Sequence, residues 1–197
     1  MSFYRVARVI ARPFCKGLFR YSAVGKENIP DRPFIIVSNH VAYRDAVCIA
    51  LCIKDEISFL AKAELFEKKI LGLFLKAFKM IPIKRAQADL SAIRESMKVL
   101  KSGGIVGVFP QGTRVKDRLP AAEQALGGSA LIASMSKAAV LPVALVYKNN
   151  RPKLFSKMKV VFGEPVSYEE YSKIEDRDEI GRFLFGHVCR LVEEHTF

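Results

Sequence analysis

Disulfide chemistry is the first thing the sequence lacks. Four cysteines in 197 residues do not make a disulfide framework. Cys48 and Cys52 stand four apart, the spacing of one helix face rather than of a CxxC clip. The expectation is a reducing, cytosolic compartment. Long apolar runs are missing too. A membrane-spanning helix needs about 18 or more apolar residues in a row. The best runs here are 138–147, broken by Pro142, and 70–75, ended by Lys76. Arg5, Arg8 and Arg12 interrupt the N-terminus, which excludes a secretory signal. There is no internal repeat, low-complexity tract or domain-splitting linker. No helix-turn-helix, zinc-finger, RRM or KH signature accompanies the bases, so nucleic acid is not an expected partner.

What is present is material for one core. Half the residues are hydrophobic, 26% are charged, and there are 14 phenylalanines. That excludes disorder as the main state. The mean hydropathy of +0.13 is high for a soluble chain, so membrane association, with no spanning segment, is expected at the surface. The net charge of +12 is unevenly spread. Residues 1–20 hold Arg5, Arg8, Arg12, Lys16 and Arg20 and no acid. Residues 62–85 hold seven bases and two acids, and the two stretches together supply +10.

On a helical projection Phe3, Val6, Ala7, Ile10, Phe14 and Leu18 share one arc and the five bases the opposite one. Pro13 is expected to kink that helix. In residues 65–79 the bases Lys68, Lys69, Lys76 and Lys79 share a narrow arc, and the apolar remainder is too wide for a single core contact. Basic segments rich in Phe and Leu suit an anionic membrane surface. Ordinary core-facing helices with snorkelling bases are the alternative. Residues 1–24 are accordingly assigned to a membrane-association helix and 25–197 to the main domain.

Short apolar strands are expected at 34–38, 57–61, 79–84, 105–109, 140–146 and 159–162, with Pro82 marking an edge. Helices are expected at 44–53, 65–78, 91–100, 129–136 and 178–194. The alternation predicts an α/β fold with a largely parallel central sheet covered by helices.

Two loops follow buried strands, where open α/β sheets place their ligands. In the first, His40 ends the 34–38 strand and Asp45 lies five residues on. Five residues apart on a helix the two side chains diverge by about 140° and do not meet. They meet if His40 sits in the turn before the helix begins. A carboxylate on one imidazole nitrogen would then fix the tautomer, and the other nitrogen would be free to take a proton from a hydroxyl. Alone the pair is a weak signal, because a histidine at a strand end is more often structural. The second loop, Phe109-Pro110-Gln111-Gly112-Thr113-Arg114, frees backbone amides and adds a hydroxyl and a guanidinium fork suited to phosphate. Arg85, with Lys84 beside it, is a second anion-binding candidate. His187 and His195 have no evident partner.

Taken together, Asn39-His40 with Asp45, Arg85, the Phe109–Arg114 run and Val140-Leu141-Pro142-Val143 resemble, in order and spacing, the four blocks of the glycerolipid acyltransferase family, its 1-acylglycerol-3-phosphate (lysophosphatidate) acyltransferases in particular. The resemblance covers roughly residues 25–165 and includes Ala61-Lys62 with Glu64-Leu65. It implies transfer of a fatty acyl group from a thioester of coenzyme A or acyl carrier protein to the free hydroxyl of lysophosphatidate. His40 would be the general base and Asp45 its orienting partner. Arg85 and Arg114 would hold the acceptor phosphate, with Gly112 and Thr113 shaping that loop, Gln111 belonging to the substrate-binding set and Pro142 contributing to the substrate wall. Neither cofactor, metal nor covalent acyl-enzyme is implied. The cytoplasmic face of the cell membrane would be the place of work, with the mount peripheral or monotopic.

One position departs from the pattern. The family's third block usually carries glutamate where this chain has Gln111. Gln keeps size and an acceptor oxygen but loses the charge. If the position only braces the loop, activity survives. If the charge is needed, the protein is weak or takes another lysolipid or hydroxylated lipid as acceptor. A neutral side chain near a phosphate removes repulsion, which favours retained activity. A non-catalytic membrane-surface protein with the same fold is the other alternative.

Overall fold

The computed structural model describes residues 3–84, 89–116, 118–150, 152 and 155–197, and only the backbone of Phe3, Arg5, Val6 and Asn150. Arg85, expected in the phosphate-binding set, lies outside the described residues.

The strands are β1 (Tyr21–Val24), β2 (Phe34–Ser38), β3 (Ile57–Lys62), β4 (Ile81–Ile83), β5 (Ile105–Val108), β6 (Ala139–Tyr147) and β7 (Met158–Phe162). The helices are α1 (Phe3–Phe19), α2 (Asp45–Cys52), α3 (Lys69–Ala77), α4 (Leu90–Lys101), α5 (Gly128–Ser136), the short α6 (Tyr168–Tyr171) and α7 (Arg177–Glu194). The sheet runs β1-β7-β6-β2-β5-β3-β4. Every pairing is parallel except β6 with β7. This is the α/β architecture expected from the alternation of apolar runs and helices.

All five residues of β2 are buried, as a strand covered on both faces must be. The side-chain period of two splits it cleanly. Phe34 and Ile36 join Cys48, Ile49 and Cys52 of α2 in one apolar cluster. Ile35 and Val37 join Ala130 and Ala133 of α5 and Leu184, Phe185 and Val188 of α7 in the other. Cys48 and Cys52 are small core residues, as their helical spacing suggests. Pro82 sits on β4, which pairs only with β3 and so forms the edge the proline requires.

One expectation changes. Residues 21–24, assigned to the N-terminal segment, form β1 and pair with β7. Their exposed Ser22, Ala23 and Val24 give no alternating pattern to read. Helix α1 runs from Phe3 to Phe19 with Pro13 inside it. Its protein-facing side is not the projected apolar arc, so the core-facing alternative does not describe it. Tyr4 is buried, and Ala11, Cys15 and Phe19 pack on the α2-side cluster. Arg8 donates to the Ile53 carbonyl at 3.2 Å. Val9, Ile10 and Phe14 stand 62–72% exposed.

The crossovers place the site. From β2 the chain leaves to α2 on one face, and from the adjacent β5 it leaves to α5 on the other. The two loops diverge at the carboxyl ends of neighbouring strands and leave the crevice in which such sheets bind ligands.

Candidate active site

His40 follows β2 and Asp45 is the first residue of α2. The chain turns between them, so the helical divergence does not apply. His40 Nδ1 and Asp45 Oδ2 are 2.9 Å apart. Asp45 is fully buried and His40 has a side-chain exposure of 16%. The same Oδ2 accepts the amides of Val41 at 2.6 Å and Ala42 at 2.8 Å. Oδ1 accepts the Tyr147 hydroxyl at 2.6 Å. A buried carboxylate demands such compensation. With Nδ1 facing the carboxylate, that nitrogen carries the proton. The free electron pair is then on Nε2, which has no hydrogen-bond partner among the described residues.

The loop after β5 holds His40 from the other side. Gln111 Oε1 accepts the His40 N–H at 2.8 Å, and the Val115 N–H donates to the His40 carbonyl at 2.8 Å. Both backbone groups of the histidine are thus tied to the second loop. Its ring stacks on Phe109, with centroids 4.2 Å apart and planes at 19°. Phe109 stacks in turn on Phe59 at 5.5 Å. Gly107 makes room for this stack: a Cβ there would lie 2.3 Å from the Phe59 ring. Asn39 acts as one more rung of the sheet, its amide exchanging hydrogen bonds with both backbone groups of Leu145.

The remaining predicted residues fall in different places. Gly112 has φ +63° and Leu126 packed over it, so a side chain there meets both strain and Leu126. Thr113 is exposed beside it. The Arg114 guanidinium lies 3.4 Å from the centroid of the Tyr43 ring. The Arg114 hydrogen bond and charge, followed by Lys116 and Lys68, draw the exposed Tyr43 phenol below its ordinary pKa. These bases make the rim positive. Gln111 is buried, bound to His40 through its oxygen and to Gln124 Oε1 through its nitrogen at 2.6 Å. It therefore braces the loop.

Pro142, expected on the substrate wall, lies inside the sheet. It is buried within β6, and strand alternation puts it with Val140 and Ala144 on the face opposite Asp45. Its ring packs over Gly163. A cavity of ≈ 20 Å³ behind the loops, lined in part by Asn39, Gln111, Leu145 and Tyr147, has room for about one water. Among the described residues, no three His, Cys, Asp or Glu side chains converge as metal ligands. Sequence reasoning missed Phe109 as the ring under His40, Tyr43 under Arg114, and Tyr147 behind Asp45. A hydroxyl-bearing aromatic closing an otherwise apolar strand was the available signal for Tyr147.

The chain is similar to known proteins over most of its length. The acyltransferase family model matches residues 20–146. The 1-acyl-sn-glycerol-3-phosphate acyltransferase of Bacillus subtilis is 34% identical over 159 residues, covering 79% of this chain and 78% of that protein. The enzyme of the same name from Streptococcus pneumoniae is 32% identical over 170 residues, 83% of this chain and 62% of its own length. The crystal structure of PlsC, the 1-acyl-sn-glycerophosphate acyltransferase of Thermotoga maritima, superposes with a TM-score of 0.70 at 25% identity, covering 98% of this chain and 83% of that one. With the family model spanning the sheet from β1 to the end of β6, and both motif loops inside it, the chain belongs to the acyltransferase family.

Proposed function

We propose that the protein transfers a fatty acyl group from a thioester, on coenzyme A or acyl carrier protein, to the free hydroxyl of lysophosphatidate, yielding phosphatidate. The observation that carries the reading is the His40–Asp45 pair set against the Gly112-Thr113-Arg114 loop. His40 Nε2 takes the acceptor's hydroxyl proton while its oxygen attacks the thioester carbonyl. The imidazolium that forms is stabilised by Asp45. Collapse of the tetrahedral intermediate breaks the C–S bond, and the departing thiolate takes the proton back from Nε2. Arg114, pre-oriented on Tyr43 with Lys68 and Lys116 nearby, supplies charge for the acceptor phosphate. Arg85 is proposed to join it. The names of the relatives support lysophosphatidate as the acceptor.

The enzyme works from an anionic membrane surface, on the cytoplasmic side. No described helix is long and apolar enough to cross a membrane. Ile10 and Phe14 on α1, and Ile70, Leu73 and Phe74 on α3, are instead exposed large apolar side chains. The Tyr4–Phe78 ring contact at 5.9 Å ties α1 to the end of α3. Exposed Arg12, Lys16, Lys68, Lys69 and Lys76 accompany them, the composition that anionic lipid attracts.

The test is thiol release from palmitoyl-coenzyme A and from an acyl carrier protein thioester, each with and without lysophosphatidate, for the wild type and His40→Ala. Acceptor-dependent release that the substitution lowers by about 10²-fold or more is expected. Full activity in His40→Ala would sink the mechanism. Release with a different lysolipid alone would change the acceptor and keep the chemistry.

A further inference from the structure

Tyr147 closes β6 on the face of the sheet that carries α2, and it is 3% exposed. Its hydroxyl lies 2.6 Å from Asp45 Oδ1 and 3.4 Å from Arg44 Nε. The neighbours fix the direction of its proton. A guanidinium can only donate and a carboxylate can only accept, so the phenol accepts from Arg44 and gives its one proton to Asp45. Arg44 is held over two rings, 5.3 Å from the centroid of Phe19 and 5.0 Å from that of Tyr147. Burial, followed by the Asp45 charge, pushes the Tyr147 phenol up and keeps its proton in place.

The two oxygens of Asp45 carry different loads. Oδ2 faces His40 Nδ1 and the amides of Val41 and Ala42. These contacts fix one oxygen and leave the carboxylate free to pivot about it. A second anchor on Oδ1 fixes the plane. Tyr147 supplies that anchor from a different strand, in a rigid part of the sheet.

We propose that Tyr147 is a positioning residue for the general base: by donating to Asp45 Oδ1 it sets the carboxylate plane, and through it the tautomer and ring orientation of His40. The inference rests on His40 acting as that base.

Tyr147→Phe keeps the ring and removes only the donor. The expected result is a kcat lower by about tenfold with a KM for lysophosphatidate within about twofold. In an Asp45→Asn background the same change is expected to cost little more, because the two residues act as a unit. In the proton NMR spectrum the downfield His40 Nδ1–H resonance is expected to shift or broaden in Tyr147→Phe. A role in packing alone would lower the Tm and move none of these. Wild-type kcat in the folded variant overturns the inference, as does an equal fractional loss in both backgrounds. If the wild type transfers no acyl group to lysophosphatidate, the acceptor reading fails and the resonance decides: displaced supports Tyr147 as positioner, unchanged overturns it. If Tyr147→Phe does not fold, ring-labelled tyrosine in the wild type decides instead. A slowly exchanging Tyr147 hydroxyl proton supports the inference and its absence overturns it.

Discussion

Gln111 Oε1 receives the backbone N–H of His40 at 2.8 Å, joining the two motif loops at the histidine itself. The contact needs an acceptor oxygen at 111 and no charge. Glutamate offers the same oxygen. It loses the donor to Gln124, whose amide can rotate to donate in return. Gln111→Glu is therefore expected to keep kcat/KM within about threefold of wild type. Gln111→Ala leaves the His40 amide unpaired, costing about 1–3 kcal/mol of local order, and is expected to lower kcat about tenfold. Thioester consumption under saturating acceptor measures both. A gain of more than about tenfold in Gln111→Glu would show that the charge matters beyond bracing.

Gly107 lies two residues before Phe109 and directly beneath Phe59. A Cβ at 107 would come within 2.3 Å of two atoms of the Phe59 ring. That ring stacks on Phe109, and Phe109 on His40. Gly107→Ala must displace the stack and is expected to destabilise the fold by about 1–3 kcal/mol. The displacement reaches the base, so kcat per folded molecule is expected to fall as well. Urea unfolding and single-turnover transfer separate the two effects. A stability loss with unchanged turnover would show that the stack supports the fold and not the orientation of His40.

Asp89 caps α4, accepting the amides of Ser91 and Ala92. Its other oxygen takes the amide of Lys84 at 2.7 Å. The Ser91 hydroxyl first, and then the Lys84 amide, hold its carboxyl down at about 2. A depressed folded-state pKa contributes stability that is complete above the unfolded value of about 4. It is lost as pH falls through the folded value. Asp89→Ala is expected to cost about 1 kcal/mol at neutral pH, with the difference from wild type shrinking between about pH 4 and pH 2. Urea midpoints at pH 7 and near pH 2 check the sign.

The sheet was legible because its strands are buried on both faces and so read as unbroken apolar runs, as at Ile105–Val108. β1 was not, because three of its four residues are exposed and it is held by β7, a partner more than 130 residues away in sequence. The two loops were legible from residue type and order. Their mutual clamp was not. Val115 to His40 and Gln111 to His40 are contacts across some 70 residues, and no local pattern encodes them. The face on which Pro142 lies was not legible either. Its place in a block of family-like residues suggested a substrate wall, whereas strand parity turns it to the far face. Parity could have been counted from Tyr147, five residues on, had the partner of Tyr147 been known.

The outer surface of α1 gives the last expectation. Ile10 and Phe14 are 70% and 72% exposed, while Tyr4, Ala11, Cys15 and Phe19 carry the contact with the core. The outward side chains therefore contribute little to folding. Burying both in lipid contributes about 1.5–3 kcal/mol each. The double substitution Ile10→Glu with Phe14→Glu also sets two acids on the surface meant to face anionic lipid. It is expected to leave the Tm unchanged and to weaken binding to phosphatidylglycerol vesicles by about 10²-fold or more. The wild type should lose affinity as salt rises, because exposed bases are screened within about 10 Å at 0.1 M. Sedimentation with vesicles at two salt concentrations measures both. Equal binding by the variant and the wild type would place the membrane contact elsewhere, with α3 and its exposed Ile70 and Leu73 the next surface to change.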